Sequence, residues 1–390
     1  MLDLPNLTAA FQERFGSKPS RFFFAPGRVN LIGEHTDYNE GYVLPMALDK
    51  GTLIAANPRR DRRVRAYSAT INQITEFELD QPVPTGMGSW TDYIGGVAWI
   101  LNDRHGSLTG ADLAVASDLP IGAGLSSSAA LELAAGLALA SLSGLEIDRL
   151  ALALIGQEAE HNYVGIKCGI MDQYVAAFGR RHNSLLIDCR SLQSQVIPLR
   201  LNNYQIVVCD SHVKHELASS EYNQRCSECE DGVKHLQKAM PSIQALRDVG
   251  MSDFNRHQSL LPRTVRQRCR HVVTENERTL AAAEALKSGN LTEMGRLMTA
   301  SHASLKNDYQ VSCPELDLLV DSALRIEGVL GARLTGGGFG GCTVNLVHRE
   351  SINLFRNRIA GEYERVFSKT PSIYIFEASD GAREIKYICD

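Results

Sequence analysis

The chain has 390 residues, and at about 150 residues per domain the natural division is into two domains. Hydrophobic residues make up 44% and charged residues 22%, the balance of a soluble globular protein whose core needs no disulfide or metal staple. Forty lysines and arginines against forty-five acids leave a net charge of −5, which argues against a nucleic-acid partner, and no run of eighteen apolar residues offers a membrane span.

The start, MLDLPNLTAAFQERFG, lacks a basic region followed by an apolar core, so no secretory leader is expected. Next comes APGRVNLIGEHTDYNEGYVLP, Ala25 to Pro45, which packs Arg28, Glu34, His35 and Asp37 between apolar stretches. Carboxylates set together on a Gly/Pro-punctuated turn can accept hydrogen bonds from a polyhydroxyl ligand. The same spacing also suits a solvated turn carrying a surface charge pair. KGTLIAAN, RRVRAYS, ITEFEL and ADLAVASD read as strands from their β-branched content and flanking turn residues. Trp90 to Leu101 reads as a helix between them.

LPIGAGLSSSAALELA, Leu119 to Ala134, runs from a glycine loop through three serines into a helix, Ser127 to Leu142. Backbone N–H groups there can approach phosphate oxygens at a helix N-terminus, and serine hydroxyls add donors or a Mg²⁺ ligand. No GK[ST] follows, so this is not a Walker loop. The alternative is a serine-capped helix after a tight turn. A further helix runs from Arg149 to Tyr163, capped by Asp148, and a short one from Met171 to Phe178 ends at Gly179. These place Glu160 near one helix end and Asp172 at the next helix start, where the dipole favours the anion. Asp172 can accept a hydroxyl proton, hold a metal or simply cap its helix.

SLLIDCR and YQIVVCDSH read as strands, and from Glu216 to about Lys306 the chain is helical and charged. Within it, Cys226-Ser227-Glu228-Cys229 is a lone CxxC without the second pair a zinc site needs, so two ordinary thiols suffice to explain it. Pro314 opens a helix to about Arg325. The remainder reads as strand (GARLT), glycine loop, strand (CTVNLVH), helix (Ser351 to Phe367) and strand (SIYIFEA). The loop, LTGGGFGGCTVNL, fits G-x-G-x-x-G at Gly336, Gly338 and Gly341. Because a strand follows, it is a turn between strands approaching a ligand or the other domain, or a wide hairpin, and not a dinucleotide motif. The nine cysteines, scattered from Cys168 to Cys389, suit free thiols in a reducing cytosol.

The three glycine-containing segments, in this order, resemble motifs one to three of the GHMP small-molecule kinases. Within that superfamily GRVNLIGEHTDYNEG is similar to the galactokinase signature, and VGIKCGIMDQ and SSEYNQR (Ser219 to Arg225) resemble the same family. The resemblance covers the chain from about Phe11 to its end. It implies an α+β fold of two domains, residues 1–187 similar to ribosomal protein S5 domain 2 and residues 188–390 ferredoxin-like, with the active site in the cleft. The implied reaction is ATP-dependent phosphorylation of D-galactose at its anomeric hydroxyl, the first committed step of galactose catabolism.

By the same resemblance, Glu34, His35, Thr36, Asp37, Gly169 and Tyr222 would bind galactose. Gly122, Ala123, Gly124, Leu125, Ser126, Ser127 and Ser128 would wrap the ATP phosphates, with Ser68 and Trp90 near the nucleotide. Ser128 and Glu160 would coordinate Mg²⁺, Asp172 would be the catalytic base with Arg28 beside it, and the Gly336–Gly341 loop would lie against both substrates. Asp172 either takes the proton or mainly orients the hydroxyl, two mechanisms that the motif leaves open. Alternatives are an N-acetylgalactosamine or other sugar 1-kinase and a non-catalytic galactose/ATP sensor, the latter disfavoured by the intact LSSSAA. A cytoplasmic monomer is expected, with Cys168 beside Gly169 making it sensitive to alkylation.

Overall fold

A proline in the first turn and a left-handed glycine just past the end favour a helix, and Pro5 and Gly16 bound α1 (Leu4–Phe15) in this way. The computed structural model describes residues 2–81, 89–106, 108–120, 122–213 and 218–386. After α1 come β1 (Arg21–Asn30), β2 (Tyr42–Val43), β3 (Pro45–Pro58), β4 (Arg63–Ser68) and β5 (Gln73–Glu78). Then follow α2 (Trp90–His105), β6 (Ala111–Ser117), α3 (Ser127–Leu142), α4 (Arg149–Ala159), α5 (Met171–Phe178), β7 (Asn183–Asp188), β8 (Gln193–Pro198) and β9 (Tyr204–Asp210). The charged region holds α6 (Ala218–Leu236), α7 (Met251–His257), α8 (Arg263–Lys287) and α9 (Leu291–Ser304). Glu216, where helix was expected to begin, lies outside the described residues. The chain ends with α10 (Pro314–Leu324), β10 (Val329–Thr335), β11 (Cys342–His348), α11 (Ile352–Phe367), β12 (Ser372–Phe376) and β13 (Arg383–Ile385).

The strands form a six-stranded sheet in the order β13-β1-β3-β6-β4-β5, a four-stranded sheet β10-β11-β9-β12 and a three-stranded sheet β2-β7-β8. Among the described residues only β4 and β6 pair in parallel. α3 packs on β1 and β3 and against α2, α4 and α5. A helix apolar on every side belongs in a core, and the alanines and Gly136 of α3 let its neighbours come close: a Cβ at Gly136 would stand 2.7 Å from Leu152. The four-stranded sheet carries α10 and α11 on a core of Val207, Leu319 and Phe355. Its other face shares a core with the first motif, where Val29, Leu31 and Met46 meet Val208, Val344 and Met298. This shared core holds the β1 loop against β10 and β11, the arrangement on which the site depends. The β7–β8 hairpin pairs Asp188 with Gln193, and β13 returns to pair with β1. Among the described residues no helix is long and apolar enough to cross a membrane, and all eight described cysteines are free. Cys389 lies outside the described residues.

Candidate active site

The first motif is a strand that breaks stride. β1 pairs with β3, and its register shifts between Pro26 and Arg28. A Cβ on Gly27, at the shift, would stand 2.6 Å from the Leu125 carbonyl oxygen, so the strand can lie against the serine loop only with glycine there. The shift aims Arg28 at the start of α5. Its Nε and Nη2 donate to the two oxygens of Asp172 at 2.7 and 2.8 Å, and its Nη1 donates to the Gly124 carbonyl at 2.6 Å. Burial works against the guanidinium charge, but Asp172, Glu34 and Asp37 hold the Arg28 pKa above its usual value. A buried bidentate pair of this kind fixes both side chains.

Beyond β1 the chain turns through Gly33 and through His35, which sits at φ 63°. Thr36 closes the turn by donating to the Gly33 and Tyr42 carbonyls at 2.9 and 2.7 Å. Its hydroxyl is thereby spent, so Thr36 shapes the turn and does not line a cavity, unlike its neighbours. Glu34 Oε1 accepts from the Gly336 N–H at 2.8 Å and the Thr335 hydroxyl at 3.1 Å, with buried Arg333 Nη2 at 3.3 Å. Asp37 faces the cavity. Burial first, then the charges of Asp172 and Glu34, push its carboxyl up to about 7.

The second motif enters α3 through three left-handed residues, Gly122, Gly124 and Ser126. Ser126 precedes the helix but does not cap it. Its hydroxyl donates instead to Asp172 Oδ2 at 2.5 Å. No side-chain cap satisfies the first N–H groups of α3 at Ser126, and Ser126, Ser127 and Ser128 line the cavity, which separates this turn from the serine-capped alternative. Ala123 and Leu125 turn their side chains into the shared core, so only backbone at these two positions is available to a ligand. The Ser128 hydroxyl lies on the same cavity wall as the Glu160 carboxylate and favours its anion. Glu160 opens a π-helical turn, Glu160–Val164, in place of the regular helix expected to Tyr163. Its pKa is raised, mainly by burial. A hydroxyl and a carboxylate are hard oxygen donors, the set that suits Mg²⁺ shared with phosphate oxygens.

The third motif is both of its readings at once. Thr335 pairs with Cys342, so the loop is a hairpin turn. It also abuts the serine loop: a Cβ on Gly336 would be 3.3 Å from the Gly124 carbonyl oxygen.

Two cavities result. One of about 500 Å³ is lined by Ser68, Trp90, Gly122, Gly124 and Ser126 to Ser128. The other, of about 180 Å³, is lined by Glu34, His35, Asp37, Glu160, Gly169 and Tyr222. Arg28, Ser128, Asp172 and Gly337 line both, so this is where their contents would meet. A wider cavity of about 860 Å³ backs onto Asp37, Cys168 and Gly169 from the far side and touches no phosphate-loop residue. Gly169 carries Asp37: a Cβ there would stand 2.1 Å from Asp37 Oδ2.

Cys168, expected to be open to alkylation, is partly exposed and lines both the smaller cavity and the wider one, while burial pushes its thiol pKa well up and so disfavours the thiolate. Tyr93 and Thr70 also line the larger of the two joined cavities, and Arg333 backs Glu34; none stood out in the sequence.

Comparison with known proteins follows the same lines. Family models match in three places: the galactokinase galactose-binding signature over residues 9–58, the GHMP kinase N-terminal domain over 92–180 and the GHMP kinase C-terminal domain over 282–365. A galactokinase of Roseiflexus sp. (strain RS-1) is 49% identical over 385 residues, covering 99% of this chain and 98% of that protein. A galactokinase of Chloroflexus aurantiacus is 53% identical over 355 residues, 91% of each chain. Among solved structures, Lactococcus lactis galactokinase complexed with galactose superposes with a TM-score of 0.94 at 38% identity, over 97% of this chain and 99% of that one. Methanococcus jannaschii mevalonate kinase, 20% identical, shares the fold over 93% of this chain and 99% of its own, with a TM-score of 0.66.

Proposed function

From its membership of the galactokinase family, a branch of the GHMP kinases to which this chain belongs, we propose how the chain's own residues carry out the reaction. The reaction is ATP-dependent phosphorylation of galactose at the anomeric hydroxyl, on a two-domain α+β GHMP kinase fold. We divide the chain at 1–187 and 188–390, with β13 crossing back to the first sheet.

Galactose occupies the smaller cavity, where Glu34, His35, Asp37 and Tyr222 face its hydroxyls and Gly169 seats Asp37. ATP occupies the larger, its base toward Ser68 and Trp90 and its phosphates over the backbone from Gly122 to Ser128 at the open end of α3. The observation that carries this reading is the sharing of Arg28, Ser128, Asp172 and Gly337 by both cavities. Ser128 and Glu160 would hold Mg²⁺, which supplies charge neutralisation on the phosphates. As the anomeric oxygen attacks the γ-phosphorus, its O–H bond breaks and the proton passes to Asp172. The new O–P bond forms while the bond to ADP breaks. Arg28 and Ser126 hold Asp172 in one orientation, so it meets the hydroxyl without reorganising. The integrity of Ser126 to Ser128 and of the Arg28–Asp172 pair favours catalysis over sensing. We take the chain to act as a monomer in the cytosol, where the free described thiols would stay reduced.

Asp172→Ala tests the assignment. Turnover is expected to fall by about 10² to 10⁴, the usual contribution of a positioned base, while ATP binding measured by titration stays within about twofold. A near-normal kcat would remove Asp172 from the proton-accepting role.

A further inference from the structure

Tyr309 lies behind the sugar cavity at the end of a π-helical turn, Leu305–Tyr309, that follows α9. It is fully buried and stands outside the lining of the smaller cavity. Its ring stands between two histidines, with centroids 4.6 Å from His35 and 4.6 Å from His271. Its hydroxyl is 2.7 Å from the Tyr38 hydroxyl and 3.2 Å from Cys229 Sγ. The Tyr38 hydroxyl is 2.8 Å from His35 Nδ1, and His35 Nε2 is 3.2 Å from the Gly337 carbonyl oxygen. Asn39 closes the circuit: its amide donates to the His35 carbonyl at 2.9 Å and faces the Cys229 sulfur.

The chemistry fixes the direction of every bond in this chain. A carbonyl only accepts, so His35 Nε2 carries the hydrogen. Burial drives the His35 pKa well below its usual value, so the ring is neutral and has no second hydrogen for Nδ1. Nδ1 therefore accepts from Tyr38, Tyr38 accepts from Tyr309, and Tyr309 accepts from the Cys229 thiol. Burial also raises both phenols and the Cys229 thiol, which stay protonated and able to donate. On the other face of the Tyr309 ring, His271 Nε2 donates to the Glu34 carbonyl at 3.0 Å, and its Nδ1 accepts from Ser304 at 2.9 Å. One buried ring thus backs both halves of the Glu34–His35 corner.

We propose that Tyr309 and Cys229 are positioning residues for the sugar. Through Tyr38 they lock His35 in its Nε2–H tautomer and hold its ring at the cavity wall, setting the affinity for galactose and not the rate of phosphoryl transfer. This gives the second cysteine of the CSEC segment a role unrelated to metal or redox chemistry. It rests on the reading that His35 faces galactose.

The test uses the full chain with nitrogen-15-labelled histidine, His35 being assigned by its loss in His35→Gln. In the wild type, His35 is expected as a single neutral tautomer. Tyr309→Phe keeps the ring and removes the hydroxyl. It is expected to raise the galactose KM roughly three- to tenfold, the worth of one buried hydrogen bond. The same variant should mix the two His35 tautomers and move kcat and the ATP KM by less than about twofold. Cys229→Ala shifts the galactose KM in the same direction and Cys229→Ser restores it, testing the circuit from its far end whether or not Tyr309→Phe folds. Unchanged galactose KM in both Tyr309→Phe and Cys229→Ala, or a parallel fall in kcat, overturns the proposal. If His35→Gln weakens galactose while the other variants do not, the relay alone is wrong. If His35→Gln also leaves galactose unchanged, the sugar-site reading falls and the proposal with it.

Discussion

Asp37 is the residue whose charge the pocket controls most plainly. Burial first, then the nearby Asp172 and Glu34 charges, push its carboxyl up to about 7 by disfavouring the anion. A sugar hydroxyl donates best to the ionised form, so galactose should bind more tightly as pH rises through about 7 and level off above it. Asp37→Asn should bind weakly with no such slope; calorimetric titrations from about pH 5 to about pH 9 check this, and equal slopes for the two proteins would contradict it. The stability of the ligand-free protein should have the reverse sign. A raised folded pKa favours the folded state at low pH, and that contribution is lost as pH rises through about 7. Residues on this scale were legible where chemistry concentrates in sequence, as in Arg28, Glu34, His35, Asp37 and Asp172. Tyr309 and Arg333 were not: Tyr309 follows the polar run Lys306–Asp308, Arg333 sits inside an apolar strand, and each touches its partner across more than two hundred positions. Thr36 shows the converse: a polar residue inside a motif whose hydroxyl is consumed by the turn itself.

Among the elements, the glycine hairpin between β10 and β11 is the most constrained. Gly338 sits at φ 79°, and a Cβ there would stand 2.3 Å from the Val311 carbonyl oxygen that also accepts from the Phe339 N–H at 2.7 Å. Gly338→Ala should cost about 1–3 kcal/mol of stability through backbone strain alone, and more once the clash displaces the loop. Gly361, inside α11 with open space where its Cβ would be, gives the opposite sign: Gly361→Ala should stabilise by about 0.5–1 kcal/mol. Urea midpoints of the two variants measure both, and like signs would refute the account of the hairpin. Helices α3, α5 and α10 were legible to within a residue or so because alanine content in α3, Gly179 just past α5 and Pro314 at the start of α10 mark them. β1 escaped notice because it is buried on both faces, so it lacks alternation, and because it contains Pro26 and Gly27. β8 is mostly polar and exposed, and β13 is three residues long; each exists through its partner strand and not through its own pattern.

At the scale of the whole molecule, the two-domain estimate from length and the modest charge of −5 become a mechanical statement. The first motif's loop and the glycine hairpin are locked together by one shared core and by Glu34, whose carboxylate is held from β10 and the loop after it. On the proposed reading, positive potential at the phosphates would need no basic surface, since the N-terminal end of α3 and buried Arg28 would supply it locally. The central claim is that the two cavities meet so that the γ-phosphorus of ATP faces one sugar hydroxyl across Asp172 and Arg28. Phosphorus-31 spectroscopy of a reaction containing the protein, ATP, Mg²⁺ and galactose tests it most directly. One phosphate ester is expected, coupled to the anomeric proton, formed in step with ADP and absent when galactose is omitted or Asp172 is replaced by alanine. Phosphate on another hydroxyl, or ATP consumed to inorganic phosphate with no sugar ester, would contradict it.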